Sequence, residues 1–326
     1  MKGLNLAVIG AGYWGRKVVA EYLHLAKVDP SFNLLYVCDL KDDNLDYCRK
    51  SLHVTESMLS SDYEAVLKSP DVDAVHICTP NETHHHFCLQ SLESEKNVLI
   101  EKPMALTSED AWEMVAEAQS RHLCLQVGHI YRFNNAIRKM KELIAQKYFG
   151  DLYYLKMQWT TWIPSPLGRD IIFDLGPHPV DIAQFLLQKW PVKVSCIAHS
   201  YRRPSLEEVA YLYMDFGENL MVNVDLSWLH PVKARELNII GSKRSAKVDC
   251  LDQTIKIFED NNEYSFDLKV PVNNTIFDEV NHFVKSIRDE NNHKNPGPIG
   301  AGTVKVLQCL KQSLEQENGI TVGIKD

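Results

Sequence analysis

The stretch Leu4-Asn5-Leu6-Ala7-Val8-Ile9-Gly10-Ala11-Gly12-Tyr13-Trp14-Gly15 decides the fold of this chain. The residues before Gly10 are almost all apolar, which predicts a strand buried on both faces of a parallel sheet. Apolar residues near helical spacing follow over 16–27, so the three glycines occupy a strand-to-helix turn. In that context Gly10 allows the tight turn, Gly12 lets a pyrophosphate approach the backbone, and Gly15 lets helix and strand pack closely.

A second strand and an acidic residue favour this interpretation over an ordinary glycine-containing surface turn. The segment 32–38 predicts a strand, and Asp39 follows it about 20–25 residues after the last glycine, where dinucleotide folds bind the adenosine ribose. A carboxylate there repels a 2′-phosphate, so the sequence predicts NAD, with NADP less favoured. Lys41 weakens that preference slightly.

Length, charge and cysteine content exclude several classes of protein. A chain of 326 residues indicates about two domains, and its net charge of −8 argues against general nucleic-acid binding. Eight cysteines are spread over the chain without CxxC spacing, which is typical of reduced thiols in a cytoplasmic protein. The first residues do not resemble a signal peptide, and we expect no membrane span, because the apolar runs are short.

Strand and helix patterns alternate up to about residue 125, and closely spaced strands predominate after Asp151. We therefore predict an α/β fold with a Rossmann dinucleotide-binding domain over 1–125. Turn residues such as 260–262 join the later strands as in hairpins, which predicts an α+β domain over 126–326 with a large, mostly antiparallel sheet. The predicted helices of this second domain cover 134–147, 177–187, 275–290 and 301–316, with a loop at 291–297.

Polar residues follow several predicted strands of the first domain: Asp39, Thr79-Pro80-Asn81, Glu101-Lys102 and Gln126. The carboxyl ends of parallel strands are where such sheets bind ligands. A lysine at such an edge loses part of its pKa when it is desolvated, and it then exchanges a proton near neutrality. The alternative is that Lys102 is a surface lysine in a turn.

The segment from Asp174 to Asp181 offers a carboxylate and an imidazole four residues apart. Two prolines suit the first turn of a helix there, so Asp174 and His178 can share one side of its start. A histidine held by a carboxylate is a general base with a defined tautomer. The alternative, equally weighted on these residues alone, is that Asp174 caps the helix and His178 is a packing residue.

Other candidate residues lie near the predicted cofactor cleft. His84, His85 and His86 point in different directions at a helix start, so we predict no metal site there, although His84 can touch a cofactor. Tyr13 and Trp14 lie inside the glycine turn, and they either pack against the domain or cover the cofactor.

Together these residues resemble the Gfo/Idh/MocA family, named after glucose–fructose oxidoreductase and inositol dehydrogenase. The resemblance extends over nearly the whole chain. It rests on the glycine turn, the Thr79-Pro80-Asn81 turn with His84, the Glu101-Lys102-Pro103 motif, and the Asp-x-Gly-x-His motif of 174–178.

The resemblance implies an NAD(P)-dependent dehydrogenase that oxidises or reduces a carbinol on a sugar, inositol or related ring. Lys102 and His178 would polarise and deprotonate the substrate hydroxyl while Asp174 orients its partners, and which of the two takes the proton stays open. The proline of the lysine motif is often cis in the family. The implied cofactor-binding residues are Gly10, Gly12, Tyr13, Trp14, Gly15, Asp39, Thr79, Pro80, Asn81, His84, Glu101, Lys102 and Gln126.

The glycine turn and the stretch 128–134 are most similar to the branch of the family that acts on nucleotide-linked sugars. The glycine run that many members carry before Asp174 is replaced here by 169–173. Arg169 either binds a substrate phosphate or carboxylate or is a solvated loop residue. The predicted substrate-binding residues are Lys102, Tyr131, Arg132, Arg169 and His178.

Two alternatives remain: a dehydrogenase of a free sugar, inositol or related carbonyl compound, and a cofactor-binding regulator without activity. Relatives also pair the open faces of their second-domain sheets, so we expect a homodimer or homotetramer. The proposed surface uses Val209, Tyr211, Tyr213, Met221, Val222 and Val224.

Overall fold

The computed structural model describes residues 3–164, 168–259, 263–289 and 294–324. It divides into two compact units, one formed by the chain up to Ile130 together with Asn274–Ala301, the other by Tyr131–Asn273 together with the chain from Gly302 onward. The predicted hairpin turn at 260–262 lies outside the described residues, as does the predicted loop up to residue 293.

The first unit is built on parallel strands that alternate with helices. The strands are β1 (Leu4–Ile9), β2 (Phe32–Cys38), β3 (Leu59–Ser60), β4 (Ala74–Ile77), β5 (Asn97–Ile100) and β6 (Leu125–Val127), and the helices are α1 (Gly15–Val28), α2 (Asp42–Ser51), α3 (Tyr63–Lys68), α4 (His84–Glu93) and α5 (Ser108–Ser120). Within the described residues the strand order is β3-β2-β1-β4-β5-β6. The order reverses between β1 and β4, which is where such sheets bind ligands.

The second unit is built on a mixed, mostly antiparallel sheet. Its strands are β7 (Leu152–Trp162), β8 (Lys193–His199), β9 (Val209–Asp215), β10 (Met221–Ser227), β11 (Leu229–Gly241), β12 (Arg244–Asp249), β13 (Thr254–Glu259), β14 (Tyr264–Leu268) and β15 (Ile320–Thr321), and its helices are α6 (Asn135–Ala145), α7 (Ile171–Leu175) and α8 (Pro177–Leu187). In the described residues the order is β14-β13-β12-β11-β7-β10-β9-β8-β15, with β7 and β10 running parallel. The two sheets confirm the predicted fold class.

The last two helices of the chain are α9 (Thr275–Arg288) and α10 (Gly297–Gln316). α9 packs against α1 in the first unit, where Val280, Phe283 and Val284 join the same buried cluster as Val19. The sequence placed this helix in the second domain, because its amphipathic pattern predicts a helix without saying which sheet it covers.

The first unit also continues past the predicted boundary at residue 125. Val127 at the end of β6 pairs with Ile100 of β5, so residues beyond 125 still belong to the sheet of the first unit. The division falls after Ile130, and residues 274–301 return to the first unit.

One part of the predicted sheet surface is wrong. Tyr211, Tyr213 and Met221 are exposed on the open face, whereas Val222 and Val224 are buried. Because side chains alternate between the two faces of a strand, Met221 and Val222 cannot lie on the same face.

No helix in the described ranges is both long enough and apolar enough to cross a membrane. All eight cysteines lie in the described part of the chain, and none of them forms a disulfide.

Candidate active site

The glycine turn between β1 and α1 has the geometry of a phosphate-binding loop. Gly10 has a φ of +93°, and a Cβ at that position would lie 2.7 Å from the carbonyl oxygen of Cys78. A Cβ at Gly15 would overlap the carbonyl oxygen of Gly10. By contrast, a Cβ at Gly12 would meet no described atom within 4 Å, and no side chain caps the start of α1. The loop therefore fits the diphosphate of a dinucleotide.

Asp39 connects the end of β2 to this turn. Its Oδ2 accepts hydrogen bonds from the amide of Ala11 (2.7 Å) and the Nδ2 of Asn44 (2.9 Å), and its Oδ1 accepts one from the amide of Lys41 (2.8 Å). These bonds fix the orientation of a half-buried carboxylate at the position where a Rossmann fold binds the adenosine ribose. Asn44 also accepts a hydrogen bond from Arg16 (2.8 Å).

The turns after β4 and β5 are joined by His84. Its ring is fully buried, with Nδ1 2.8 Å from the carbonyl oxygen of Pro103 and Nε2 3.0 Å from that of Thr79. Burial lowers the pKa of His84, against the effect of the two carbonyls. The Lys102–Pro103 bond is cis, as the resemblance implied. His84 thus positions the turns that carry Thr79 and Lys102, and direct contact between its ring and the cofactor stays a prediction.

The three consecutive histidines separate as predicted. His85 is half-buried and its Nε2 lies 2.8 Å from an oxygen of Glu113, whereas His86 is exposed. Pro80 is also exposed and Asn81 is half-buried at the start of the next turn.

Glu101 is buried at the end of β5 and accepts a hydrogen bond from the indole Nε1 of Trp14 at 2.5 Å. The Glu101 carboxylate lies 3.4 Å from Nε2 of His76. The other ring nitrogen of His76, Nδ1, lies 3.2 Å from the hydroxyl of Tyr22. Trp14 therefore packs within the domain and ties the glycine turn to the turn that bears Lys102, which is half-buried.

The remaining cofactor candidates differ in accessibility. Tyr13 is 78% exposed, whereas the Gln126 side chain is fully buried in β6. A cofactor contact is sterically open to Tyr13, and the predicted contact of Gln126 has no support from its burial.

In the second unit, Asp174 and His178 lie on either side of the junction between α7 and α8. Asp174 is a buried residue of α7 and His178 a half-buried residue in the first turn of α8. The N-cap of α8 is Gly176, and no side-chain hydrogen bond caps this helix within the described residues. Asp170 caps α7 instead, by accepting hydrogen bonds from the amides of Ile172 (2.9 Å) and Phe173 (3.0 Å). The alternative in which Asp174 caps the helix of His178 is therefore wrong.

Arg169 brings a cation to this carboxylate. Its Nη2 lies 2.9 Å from Oδ1 of Asp174, and its side chain is 45% exposed. A guanidinium so placed is accessible to an anionic group while it is held beside Asp174.

Arg132 has a different environment from the one predicted. Its side chain is 5% exposed, and its Nε donates to Oδ1 of Asp181 at 2.7 Å while its Nη2 donates to Gln184 at 2.6 Å. These bonds join the segment after β6 to α8, so the geometry favours a structural role for Arg132. Tyr131 is buried as well, and its ring meets that of His178 edge-on at 5.1 Å.

The sequence did not single out two polar residues of these clusters, Asn44 and Arg235. Asn44 lies in the first turn of α2, and its role depends on how α2 places it against Asp39. The sequence does contain a signal for Arg235. By the alternation of side chains along a strand, Arg235 shares a face of β11 with the buried Leu237 and Ile239, where a charged residue is unexpected.

Comparison with known proteins identifies relatives along most of the chain. The family described as "Oxidoreductase family, NAD-binding Rossmann fold" matches residues 4–129, and the GFO/IDH/MocA C-terminal domain matches residues 137–247. A UDP-N-acetylglucosamine 3-dehydrogenase of Acidithiobacillus ferrooxidans is 28% identical over 256 residues, which cover 78% of this chain and 77% of that protein.

Two further matches extend over nearly the whole chain. A solved structure of the Acidithiobacillus ferrooxidans enzyme superposes with a TM-score of 0.84 and 25% identity, covering 97% of this chain and 99% of that one. A myo-inositol 2-dehydrogenase of Thermotoga maritima is 22% identical over 334 residues, which cover 97% of this chain and 98% of its own length.

Proposed function

Because this chain belongs to the Gfo/Idh/MocA family of NAD-binding oxidoreductases, we propose that it is a dehydrogenase of a ring carbinol on a nucleotide-linked sugar. We infer an anionic substrate from the position of Arg169, a half-exposed cation that pairs with Asp174. The relative that is named as a UDP-N-acetylglucosamine 3-dehydrogenase supports the same substrate class.

We assign the chemistry to Lys102, Asp174 and His178. The glycine turn and Asp39 would hold NAD, and the cofactor, when bound, would supply the hydride acceptor for the carbinol carbon. Lys102 and His178 polarise the substrate hydroxyl, and one of them takes its proton as the carbonyl forms. Asp174 orients its neighbours electrostatically and is itself held by Arg169.

Arg169 selects for the charged part of the substrate in this proposal. An arginine binds phosphate or carboxylate oxygens with two parallel hydrogen bonds, so a diphosphate or a uronate suits it better than a neutral ring. The second candidate, a free sugar or inositol, is favoured by the full-length likeness to a myo-inositol 2-dehydrogenase.

The first experiment measures NADH formation by the purified protein with NAD or NADP over a substrate panel. UDP-N-acetylhexosamines and their uronates are compared with free hexoses and inositols. We expect a signal with the UDP-linked sugars and NAD, and turnover of a free sugar or inositol alone would overturn the nucleotide-sugar proposal.

Single variants then test the assigned roles. Lys102→Ala and His178→Ala should each lower kcat by about 10²- to 10⁴-fold, the usual contribution of a general acid or base, while NADH binding by fluorescence titration stays within twofold. Lys139→Ala is the matched control, because Lys139 pairs with Glu142 on the surface of α6. Equal loss of NADH binding and turnover would contradict the catalytic assignment.

A non-catalytic regulator is the remaining alternative. It predicts tight NADH binding without turnover of any member of the panel. Lys102 and His178 are both present, which favours the enzyme. We further propose a cytoplasmic homodimer or homotetramer that uses the exposed Tyr211, Tyr213 and Met221 face, to be tested by sedimentation of Tyr211→Lys.

A further inference from the structure

A buried arginine of the second unit, Arg235, has no role in the proposed function so far. Arg235 of β11 pairs in register with Trp159 of β7 and is only 8% exposed. Its Nη1 donates hydrogen bonds to the carbonyl oxygens of Thr160 (2.8 Å) and Ala234 (2.7 Å). The backbone of two neighbouring strands therefore fixes this guanidinium.

The same guanidinium faces residues of the proposed active site. Its positive charge acts electrostatically on the phenol of Tyr131 and on the carboxylate of Asp174. The Tyr131 ring meets Trp159 edge-on at 5.4 Å and His178 edge-on at 5.1 Å. Trp159, the register partner of Arg235, and the Tyr131 ring thus connect the arginine to His178.

The burial of Arg235 is costly for a residue that only fills space. Burial lowers its pKa against the opposing effects of Tyr131 and Asp174. Apolar side chains of similar volume pack in such positions without that desolvation cost, and replacing buried charges by them is often neutral or stabilising. A buried cation that acts electrostatically on Tyr131 and Asp174 is therefore better explained by the site than by the core.

We propose that Arg235 is a positioning residue of the active site, which fixes Tyr131 against His178 and supplies a permanent positive charge beside Asp174. This inference rests on the proposed function, in which His178 and Asp174 act on the substrate. Arg169 is half-exposed and pairs with Asp174, so Arg235 keeps Asp174 compensated when an anionic substrate engages Arg169. The imidazole keeps one orientation throughout.

The kinetic test compares Arg235→Met with Arg235→Lys. A small displacement of a catalytic group costs up to about 10²-fold, so we expect kcat of Arg235→Met to fall by about 10- to 100-fold with the KM for NAD unchanged within twofold. Arg235→Lys retains the charge and should recover at least part of that loss. The control is Arg244→Met, because Arg244 lies over a tyrosine ring (Tyr148, 4.4 Å) and donates to that residue's carbonyl oxygen, and neither residue is among the predicted site residues.

A spectroscopic test does not depend on turnover. In protein labelled with ¹³C-histidine, the ring signals of His178 are assigned by their loss in His178→Gln, and Tyr131→Leu defines their position without the tyrosine ring current. We expect Arg235→Met to move the His178 signals toward those of Tyr131→Leu, and Arg244→Met to leave them in place.

The two arms separate this inference from the proposed function. Movement of the His178 signals in Arg235→Met supports the positioning role even if wild-type protein turns over no member of the panel, an outcome that refutes the proposed substrate instead. Unmoved His178 signals in folded Arg235→Met overturn the inference whatever happens to kcat.

Discussion

Replacing Arg132 by methionine distinguishes a structural arginine from a substrate-binding one. The Arg132 and Asp181 side chains are 5% and 2% exposed and form an ion pair at 2.7 Å. Removing one partner of a buried pair costs about 3–5 kcal/mol of unfolding free energy, because the other charge is left buried. Lys141 also acts electrostatically on Asp181, so we expect a loss of about 3 kcal/mol for Arg132→Met.

The assay is thermal and urea unfolding followed by circular dichroism. For a domain of 150–250 residues, a loss of about 3 kcal/mol corresponds to a melting temperature lower by about 6–12 °C. The double variant Arg132→Met/Asp181→Leu should regain most of that loss, because it removes the orphaned carboxylate. Lys139→Met is the control, since breaking an exposed pair costs about 0–1 kcal/mol.

Kinetics of the same variant complete the test. At a temperature where Arg132→Met is folded, we expect its substrate KM to stay within about twofold of wild type, because the guanidinium is buried against α8. An unchanged melting temperature together with a KM raised at least about tenfold would refute the structural assignment and establish Arg132 as a substrate ligand.

Three further predictions concern the first unit. Gly15→Ala should abolish measurable NADH binding, since its Cβ would overlap the carbonyl oxygen of Gly10, and unchanged affinity in a titration would contradict this. Hydrogen bonds from Ser31 hold the pKa of Asp29 below its usual value. Their contribution to the stability of the fold is therefore fully present above the pKa that Asp29 has in the unfolded chain. It is lost as the pH falls through the lower pKa that Asp29 has in the folded protein. Ser31→Ala should therefore cost about 1 kcal/mol of unfolding free energy at pH 7 and progressively less toward pH 2, and a pH-independent difference would refute this cause. Phe283→Ala should cost about 3–5 kcal/mol and lower the unfolding temperature of the NADH-binding unit, whereas loss confined to the other unit would contradict the placement of α9.

Local patterns in the sequence determined the first sheet and its glycine turn. Gly10, Gly12 and Gly15 have meaning only at a strand-to-helix junction, and the apolar runs on either side define that junction without any distant contact. The carboxyl ends of the parallel strands can be located from the same local patterns, and Asp39 and Lys102 follow two of these ends. Short-range periodicity also distinguished the alternating strands of the second sheet.

Only the tertiary structure decided which partners those elements take. The pattern of α9 required an apolar surface, and the fold supplied α1 rather than the second sheet. Arg132 meets Asp181 across 49 residues of chain, and Arg235 of β11 pairs in register with Trp159 of β7, pairings that no local spacing encodes. A polar side chain acquires its surroundings from the fold. The positions of the candidate residues could therefore be predicted from the sequence, whereas the burial of Arg132 and Arg235 and the partial exposure of Arg169 could not.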